Sequence, residues 1–333
     1  PPPSEKVTKR TATLVLLVAA GAAWLATRGV PPPRRAMLAV LPFENMSGDP
    51  EQEYFSDGIT EDIITNLSKV SRLFVVSRNS TFLYKGKQVK IEEVARDLGV
   101  RHVLEGSVRR AGDRVRITAQ LIDGKTGQHL WADNYDRELK EIFSVQDEVT
   151  RKVVSELAVA LTTTESERLY RKHTENFEAY ELYLRARGEA YKVTKENNLK
   201  GMELSQRVIE LDPKFAGGYN QLSLLLTFGV RFGFSISPRE DLAKAFELAQ
   251  KAVSVDDTFS PAYYTLANIY LTQGKHDDAL AAANTAVRII PGDDVAMLWV
   301  GYMLNWLGRG EEAIEAIKKA REMNPKYLHG RNP

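Results

Sequence analysis

Apolar residues are not spread evenly along this chain; their spacing changes repeatedly, and each spacing predicts a kind of element. The first is an uncharged stretch rich in Leu, Val and Ala, Thr11 to Thr27, whose 17 residues lie at the lower limit for crossing a bilayer. Lys9, Arg10 and Arg28 flank it, and snorkelling of their stems would extend its reach. Past the proline linker Pro31–Pro33, Met37 to Phe43 forms a nearly continuous apolar run, the pattern of a buried strand. Phe55, Ile59, Ile63 and Leu67 then recur every four residues, on one helical face, with Glu61 and Asp62 directed elsewhere. Leu73–Val76 reads as a second strand, and Ile91, Val94, Ala95 and Leu98 as a second helical stripe closed by Gly99. Alternating strands follow at His102–Arg110 and Arg114–Asp123, joined by a hairpin at Ala111–Asp113, and at Gln128–Tyr135 after a Gly-containing turn. One sheet with helices packed on it is the expected result.

From Ile142 to Tyr170 the apolar positions Val145, Val149, Val153, Leu157 and Leu161 step by four, which predicts a long connecting helix with Thr162–Thr164 as a weak interruption. Beyond it the chain repeats itself. Pro325 follows Pro291 by 34 residues and Asp257 precedes Pro291 by 34, while Pro213 lies 44 before Asp257, so that one unit carries an insertion. Ala279, Ala283 and Ala286 sit 12, 8 and 5 residues before Pro291, and Ala313, Ile317 and Ala320 hold the same offsets before Pro325. Leu266, Ala267 and Tyr270, then Val300, Gly301 and Leu304, supply matching first-helix positions. This period resembles the tetratricopeptide repeats, in which paired helices stack into a solenoid. The resemblance implies partner binding on the concave first-helix face, which in register places Tyr264, Asn268, Tyr302 and Asn305 toward a peptide, unless the aromatic insertion Phe228–Ser237 covers them.

Composition narrows the chemistry. Lys+Arg at 45 against Asp+Glu at 44 gives a net charge of +1, which offers no global pull toward nucleic acid. With no cysteine, disulfides, thiolate metal sites and cysteine nucleophiles are excluded. The five histidines, His102, His129, His173, His276 and His329, are scattered, with no HExxH or GxSxG, and no phosphate-binding glycine loop occurs. No catalytic residue, metal ligand or cofactor site is therefore expected. The acidic group from Glu44 to Asp62 matches no calcium loop and reads as helix capping and solvation. Arg109, Arg110, Arg114 and Arg116 gather at the hairpin, where Lys85, Lys87 and Lys90 would extend them into a patch for an anionic partner; a solvated strand face is the plainer alternative.

Leu41-Pro42-Phe43-Glu44-Asn45-Met46-Ser47-Gly48-Asp49-Pro50, Phe55-Ser56-Asp57-Gly58, Leu104-Glu105-Gly106-Ser107-Val108-Arg109 and Ala132-Asp133-Asn134-Tyr135-Asp136 resemble the TolB amino-terminal-like domain. In relatives of that kind this domain precedes tetratricopeptide repeats, behind a class III adenylate/guanylate cyclase domain or sometimes a winged-helix DNA-binding domain. The resemblance implies no functional residue for the domain itself, and the cyclase aspartates and transition-state Asn/Arg pair lie in a part not represented here.

The expected organisation is an upstream linker at 1–10, one transmembrane helix at 11–29, a mixed-sheet α/β domain at 36–140, a connecting helix at 141–172 and an all-α repeat solenoid at 177–328. The opening Pro1-Pro2-Pro3, with no Met, suggests a piece of a longer polypeptide, and further repeats are expected past Pro333. The expected function is a membrane-anchored interaction and sensory module of a bacterial signalling protein. The alternatives are the C-terminal part of an adenylate cyclase making cyclic AMP from ATP, or the regulatory half of a winged-helix regulator. Flanking charge ties and leaves orientation open; by the resemblance, an inner-membrane protein would carry the part after Arg28 in the periplasm. Homo-oligomerisation stays open.

Overall fold

A computed structural model describes residues 36–169 and 173–324. The expected linker at 1–10 and transmembrane helix at 11–29 lie outside the described residues, among which no helix is long and apolar enough to cross a membrane.

Strand β1 (Ala36–Val40) lies between two parallel neighbours, β3 (Leu73–Val75) and β4 (His102–Ala111), and the sheet runs β3-β1-β4-β5-β6, with β5 at Arg114–Asp123 and β6 at His129–Glu138. The last three strands are antiparallel, with Ala111 opposite Arg114 across the hairpin and Ile117 opposite Tyr135. A two-residue strand that carried no periodic signal, β2 (Glu44–Asn45), continues the line of β1 along β4. Helix α1 (Glu53–Ser68) covers one face. Its stripe Phe55, Ile59, Ile63 and Leu67 is 0–1% exposed against Leu38, Val40, Leu104 and Ile117, so the four-residue step was a burial signal. After the one-turn α2 (Arg78–Thr81), helix α3 (Ile91–Leu98) packs Val94, Ala95 and Leu98 on the opposite face, against Ala39 and Val103. Gly99 ends it in the left-handed region (φ +68°), as a C-terminal cap requires.

The connector is not one helix. Helix α4 (Ile142–Glu156) places Val145, Val149 and Val153 in the core beside α1, then stops; Ala158 takes φ +49° and a new helix, α5 (Thr163–Leu169), begins. The threonine run is a start signal. Thr162 Oγ1 accepts from the N–H of Glu165 (3.2 Å) while Glu165 accepts from Thr162 N (2.8 Å), a reciprocal cap. Glu165 also accepts from the N–H and hydroxyl of Ser71 (2.8 and 2.7 Å), tying the connector to the turn before β3. Burial opposes its charge, but these donors outweigh it and hold its carboxyl down at about 2.

Four antiparallel helix pairs follow: α6 (Phe177–Ala190) with α7 (Lys195–Leu211), α8 (Ala216–Arg231) with α9 (Pro238–Val255), α10 (Ser260–Thr272) with α11 (His276–Ile289), and α12 (Asp294–Trp306) with α13 (Gly310–Met323). Each first helix also touches the first helix of the next pair, as in a repeat solenoid. Ala279, Ala283, Ala286, Ala313 and Ala320 are buried between the paired helices, as their spacing required. The insertion is a lengthened α8 plus a short loop in which Phe232 and Ile236 are exposed.

Candidate partner-binding groove

The concave side of the solenoid is the natural place for a partner, and the chain fills part of it itself. Helix α1 lies against α6 so closely that a Cβ on Gly58 would stand 2.6 Å from Leu184 Cδ1. Arg187, on α6, donates to both carboxylates of α1, at 3.0 Å to Glu61 and 3.2 Å to Asp62, and to the carbonyl of Gly58 at 3.3 Å. Glu61 also pairs with Arg78 and accepts from the Tyr191 hydroxyl at 3.2 Å; Asp62 accepts from Tyr180 and from Gln146 at 3.2 Å. Burial drives the Tyr180 hydroxyl well above its ordinary value, and Asp62 adds to the effect. Sequence reading placed Glu61 and Asp62 away from the core stripe; they face the solenoid, and Glu61 is only 7% exposed.

The far end of the array closes on the same domain. Ser77 N donates to Met323 O (2.9 Å), Ser80 pairs with Asn324, and Gly292 N donates to Ser68 O (3.2 Å). A cavity of about 130 Å³ lies in this seam, lined by Asp62, Lys69, Gln146, His173, Tyr180 and Phe259 among others.

The four groove residues expected from register therefore divide. Tyr264 is half-buried near Arg187, Glu61 and Asp293, and burial raises its hydroxyl, with Asp293 next in effect; Asn268 is 4% exposed. Both sit in the enclosed part. Tyr302 and Asn305 are exposed, and Tyr302 belongs to an open groove of about 530 Å³ with Trp299, Trp306, Leu271, Arg231 and Asn79. Trp306 is 65% exposed and stacks on His276 (centroids 5.6 Å apart, planes 4°), while Trp299 meets Tyr302 edge-on at 6.1 Å. Positions 299, 302 and 306 are spaced by three and four, one helical face, so the two tryptophans were legible in principle. Arg231 and Asn79 were not, because they come from another repeat and from α2.

Three of the hairpin arginines share the exposed strand face, with Arg109 opposite Arg116 in register and Arg114 two residues along, while Arg110 turns to the other face; each has a partner within the chain. Arg110 reaches across to Glu181 on α6 (2.8 Å), Arg114 and Arg116 share Asp136 (2.5 and 2.6 Å), and Arg109 Nε donates to Met46 O (3.2 Å). Lys85 is held by Asp57 and Glu53 (2.6 and 2.9 Å). Lys87 and Lys90 line a separate open groove of about 1010 Å³ over the bare part of the sheet, with Glu44, Glu105, Ser107 and Gln120, and none of the four arginines lines it. Burial raises the Glu105 carboxyl there; nearby His129 opposes the shift and Glu44 adds to it. Among the described residues no group of three or more His, Asp and Glu is placed to hold a metal ion.

Residues 239–299 match the tetratricopeptide repeat family. The helix pairs on either side of that match repeat the same arrangement, so the helical region is tetratricopeptide-like. Residues 34–152 match the HilA/YgeH-like transcriptional regulator, second domain. A protein of Rhizobium meliloti (strain 1021), whose name proposes an adenylate cyclase, is 48% identical over 240 residues, 71% of this chain and 41% of its own. The chain thus spans well under half the length of that relative. Among solved structures, a thermophilic tetratricopeptide-repeat protein of Thermus thermophilus aligns with 57% of this chain and 87% of its own at 18% identity, TM-score 0.40. TolB from Acinetobacter baumannii aligns with 38% of this chain and 29% of its own at 19% identity, TM-score 0.30.

Proposed function

We propose that this chain is the membrane-anchored interaction and sensory module of a bacterial signalling protein, binding a protein or peptide partner through the open, aromatic end of its repeat groove. The observation that carries this reading is the wall of exposed Tyr302 and Trp306 with half-buried Trp299, beside Arg231, the residue types that dominate protein-recognition energetics. A partner laid there would touch Asn79 as well, so the sheet domain forms part of the surface that it reads. Anchoring rests on the apolar stretch within 11–29, and the inner membrane with a periplasmic location after Arg28 follows if the output domain is cytoplasmic. A phosphatase fused after Pro333 should then be active, and a cytoplasmic reporter at the same point silent.

The test of the groove is a photo-cross-linking residue at position 302 in the native host. It should yield an adduct with a second polypeptide, reduced at least ~10-fold by Trp306→Ala, since loss of a central tryptophan costs on the order of 2 kcal/mol or more. No adduct, or one indifferent to Trp306, refutes the reading.

A second reading, favoured by the Rhizobium meliloti relative, makes the chain the C-terminal part of an adenylate cyclase whose catalytic domain lies upstream. The match to a transcriptional regulator's second domain supports a regulator as parent instead. Cyclic AMP production in a cyclase-deficient bacterium, by this chain and by the chain joined to its genomic upstream sequence, separates them. Production only by the joined form supports the cyclase, and production by neither leaves an adaptor or regulator. Production by this chain alone overturns the non-catalytic reading.

A further inference from the structure

Strand β6 is an edge ten residues long, paired to β5 on one side and to no other strand among the described residues. A long free edge invites another strand, and natural chains guard such edges with charge. Here the charges are arranged so as to allow one self-pairing. Counting outward from Tyr135, the positions two away are Asp133 and Arg137, one away are Asn134 and Asp136, and three away are Ala132 and Glu138.

We propose that β6 pairs with β6 of a second copy of this chain, antiparallel about a two-fold axis at Tyr135, so that the sheets of two chains become continuous. In that register Asp133 lies opposite Arg137 of the second copy, and the reverse, which forms two opposite-charge pairs on the helix-covered face. Asp133 has no cation at ion-pair distance among the described residues, because the residue opposite it on β5 is Ala119. Among the described residues Arg137 reaches only Glu148, at 3.7 Å, and the carbonyl of Asp136. On the other face Asn134 stands opposite Asp136 of the second copy. Its Oδ1 already accepts from Thr118 (2.8 Å), which leaves the amide N–H groups to donate to that carboxylate.

Neighbouring registers are penalised. Centring the pair on Asp133 or on Asp136 sets two carboxylates against each other at the axis, and centring it on Asn134 removes every charge pair. A one-residue slip between the chains would also put the core face of one sheet beside the open face of the other. This self-complementarity about one residue is what singles out a second copy over an unrelated peptide.

The chain has no cysteine, so Asn134→Cys introduces a single reporter thiol into the full chain in detergent. Across the proposed axis two such thiols are diagonal neighbours at about 7–8 Å, within reach of a short bismaleimide. We expect a cross-linked dimer; Asp133→Arg or Arg137→Asp alone, each of which sets like charges opposite one another, should cut its yield ~10-fold or more. The two together restore the pairs and should restore the yield, and mixing the two single variants should give a mixed cross-linked dimer. Sedimentation of uncross-linked samples should follow the same order, with circular dichroism confirming that each variant is folded. No cross-link in the reporter chain, or a cross-link equally strong in both single reversals, overturns the proposal.

Discussion

Arg187→Met is the most direct test of how the sheet domain is held inside the repeat array. The guanidinium is 16% exposed and serves two carboxylates on α1, of which Glu61 is 8% exposed at its side chain and Asp62 22%. Removing one partner of a buried ion pair costs about 3–5 kcal/mol, because the charge left behind stays out of water. Glu61 keeps Arg78 and the Tyr191 hydroxyl, whereas Asp62 loses its cation and retains two neutral donors, Tyr180 and Gln146. These remaining partners place the expected loss at the lower end, about 3 kcal/mol. Methionine preserves most of the aliphatic stem but removes the guanidinium that stands over the Tyr183 ring (5.4 Å), a contact worth about 0.5–1 kcal/mol of that loss. Urea unfolding of residues 36–333, followed by circular dichroism and by fluorescence of Trp131, Trp299 and Trp306, reads both the midpoint and the cooperativity. A weakened seam should also separate the signal of Trp131 from that of the two groove tryptophans, since the domains would no longer unfold together. Adding Asp62→Asn to the variant should recover a good part of the loss by removing the orphaned charge. A loss under about 1 kcal/mol, or no recovery in the double variant, would show that water already solvates this network and that the seam is held by apolar packing alone.

Three further outcomes are expected. Asp293 caps α12 by accepting from Ala296 N (3.0 Å), yet burial raises its carboxyl to about 6, so ionisation penalises the folded chain as pH rises from about 4 through 6. Asp293→Asn keeps a capping side chain and should stabilise residues 36–333 by about 1–2 kcal/mol at pH 7.5, with the gain vanishing toward pH 4; a pH-independent difference in thermal denaturation refutes this. A Cβ on Gly106 would stand 2.3 Å from the backbone oxygen of Thr118 and 2.6 Å from the Phe43 ring, so Gly106→Ala should cost about 1–3 kcal/mol in the same unfolding assay. Glu165→Gln should lower stability most at neutral pH and converge with the parent chain as pH falls from about 4.5 toward 2, because a depressed carboxyl contributes only while ionised; a loss that persists at pH 2 would show that its hydrogen bonds do not depend on charge.

Local pattern was enough for most elements. The stripe Phe55, Ile59, Ile63, Leu67 and the alternation from Arg114 to Asp123 each bury one face, and burial is what periodicity encodes. The repeat period located the helix pairs for the same reason. It failed at Leu157 and Leu161, which keep the four-residue step and still pack on the core, but from a non-helical segment closed by the Thr162–Glu165 cap. There a polar signal ended a pattern that the apolar residues alone would continue. The groove was half legible. Tyr302 stands at its open end as register required, while Asn268 is buried and Tyr264 is enclosed beside Glu61 and Arg187, because the docking of α1 joins residues more than a hundred positions apart and leaves no local trace.

That docking changes what the groove can do. In a bare solenoid a peptide would meet only first-helix side chains; here the free aromatic wall ends at Asn79, on the short helix whose neighbours Ser77 and Ser80 hold Met323 and Asn324. A partner that binds the docked arrangement more tightly than the loosened one must stabilise the docking by the same factor, since coupling between two equilibria is reciprocal. Arg187, which contacts only the seam, thereby acquires a measurable influence on a site that it does not line. If the wall of Trp299, Tyr302 and Trp306 binds its partner together with Asn79, Arg187→Met should weaken that binding with the three aromatics untouched. If it binds through the repeats alone, the same substitution should leave affinity unchanged while lowering stability.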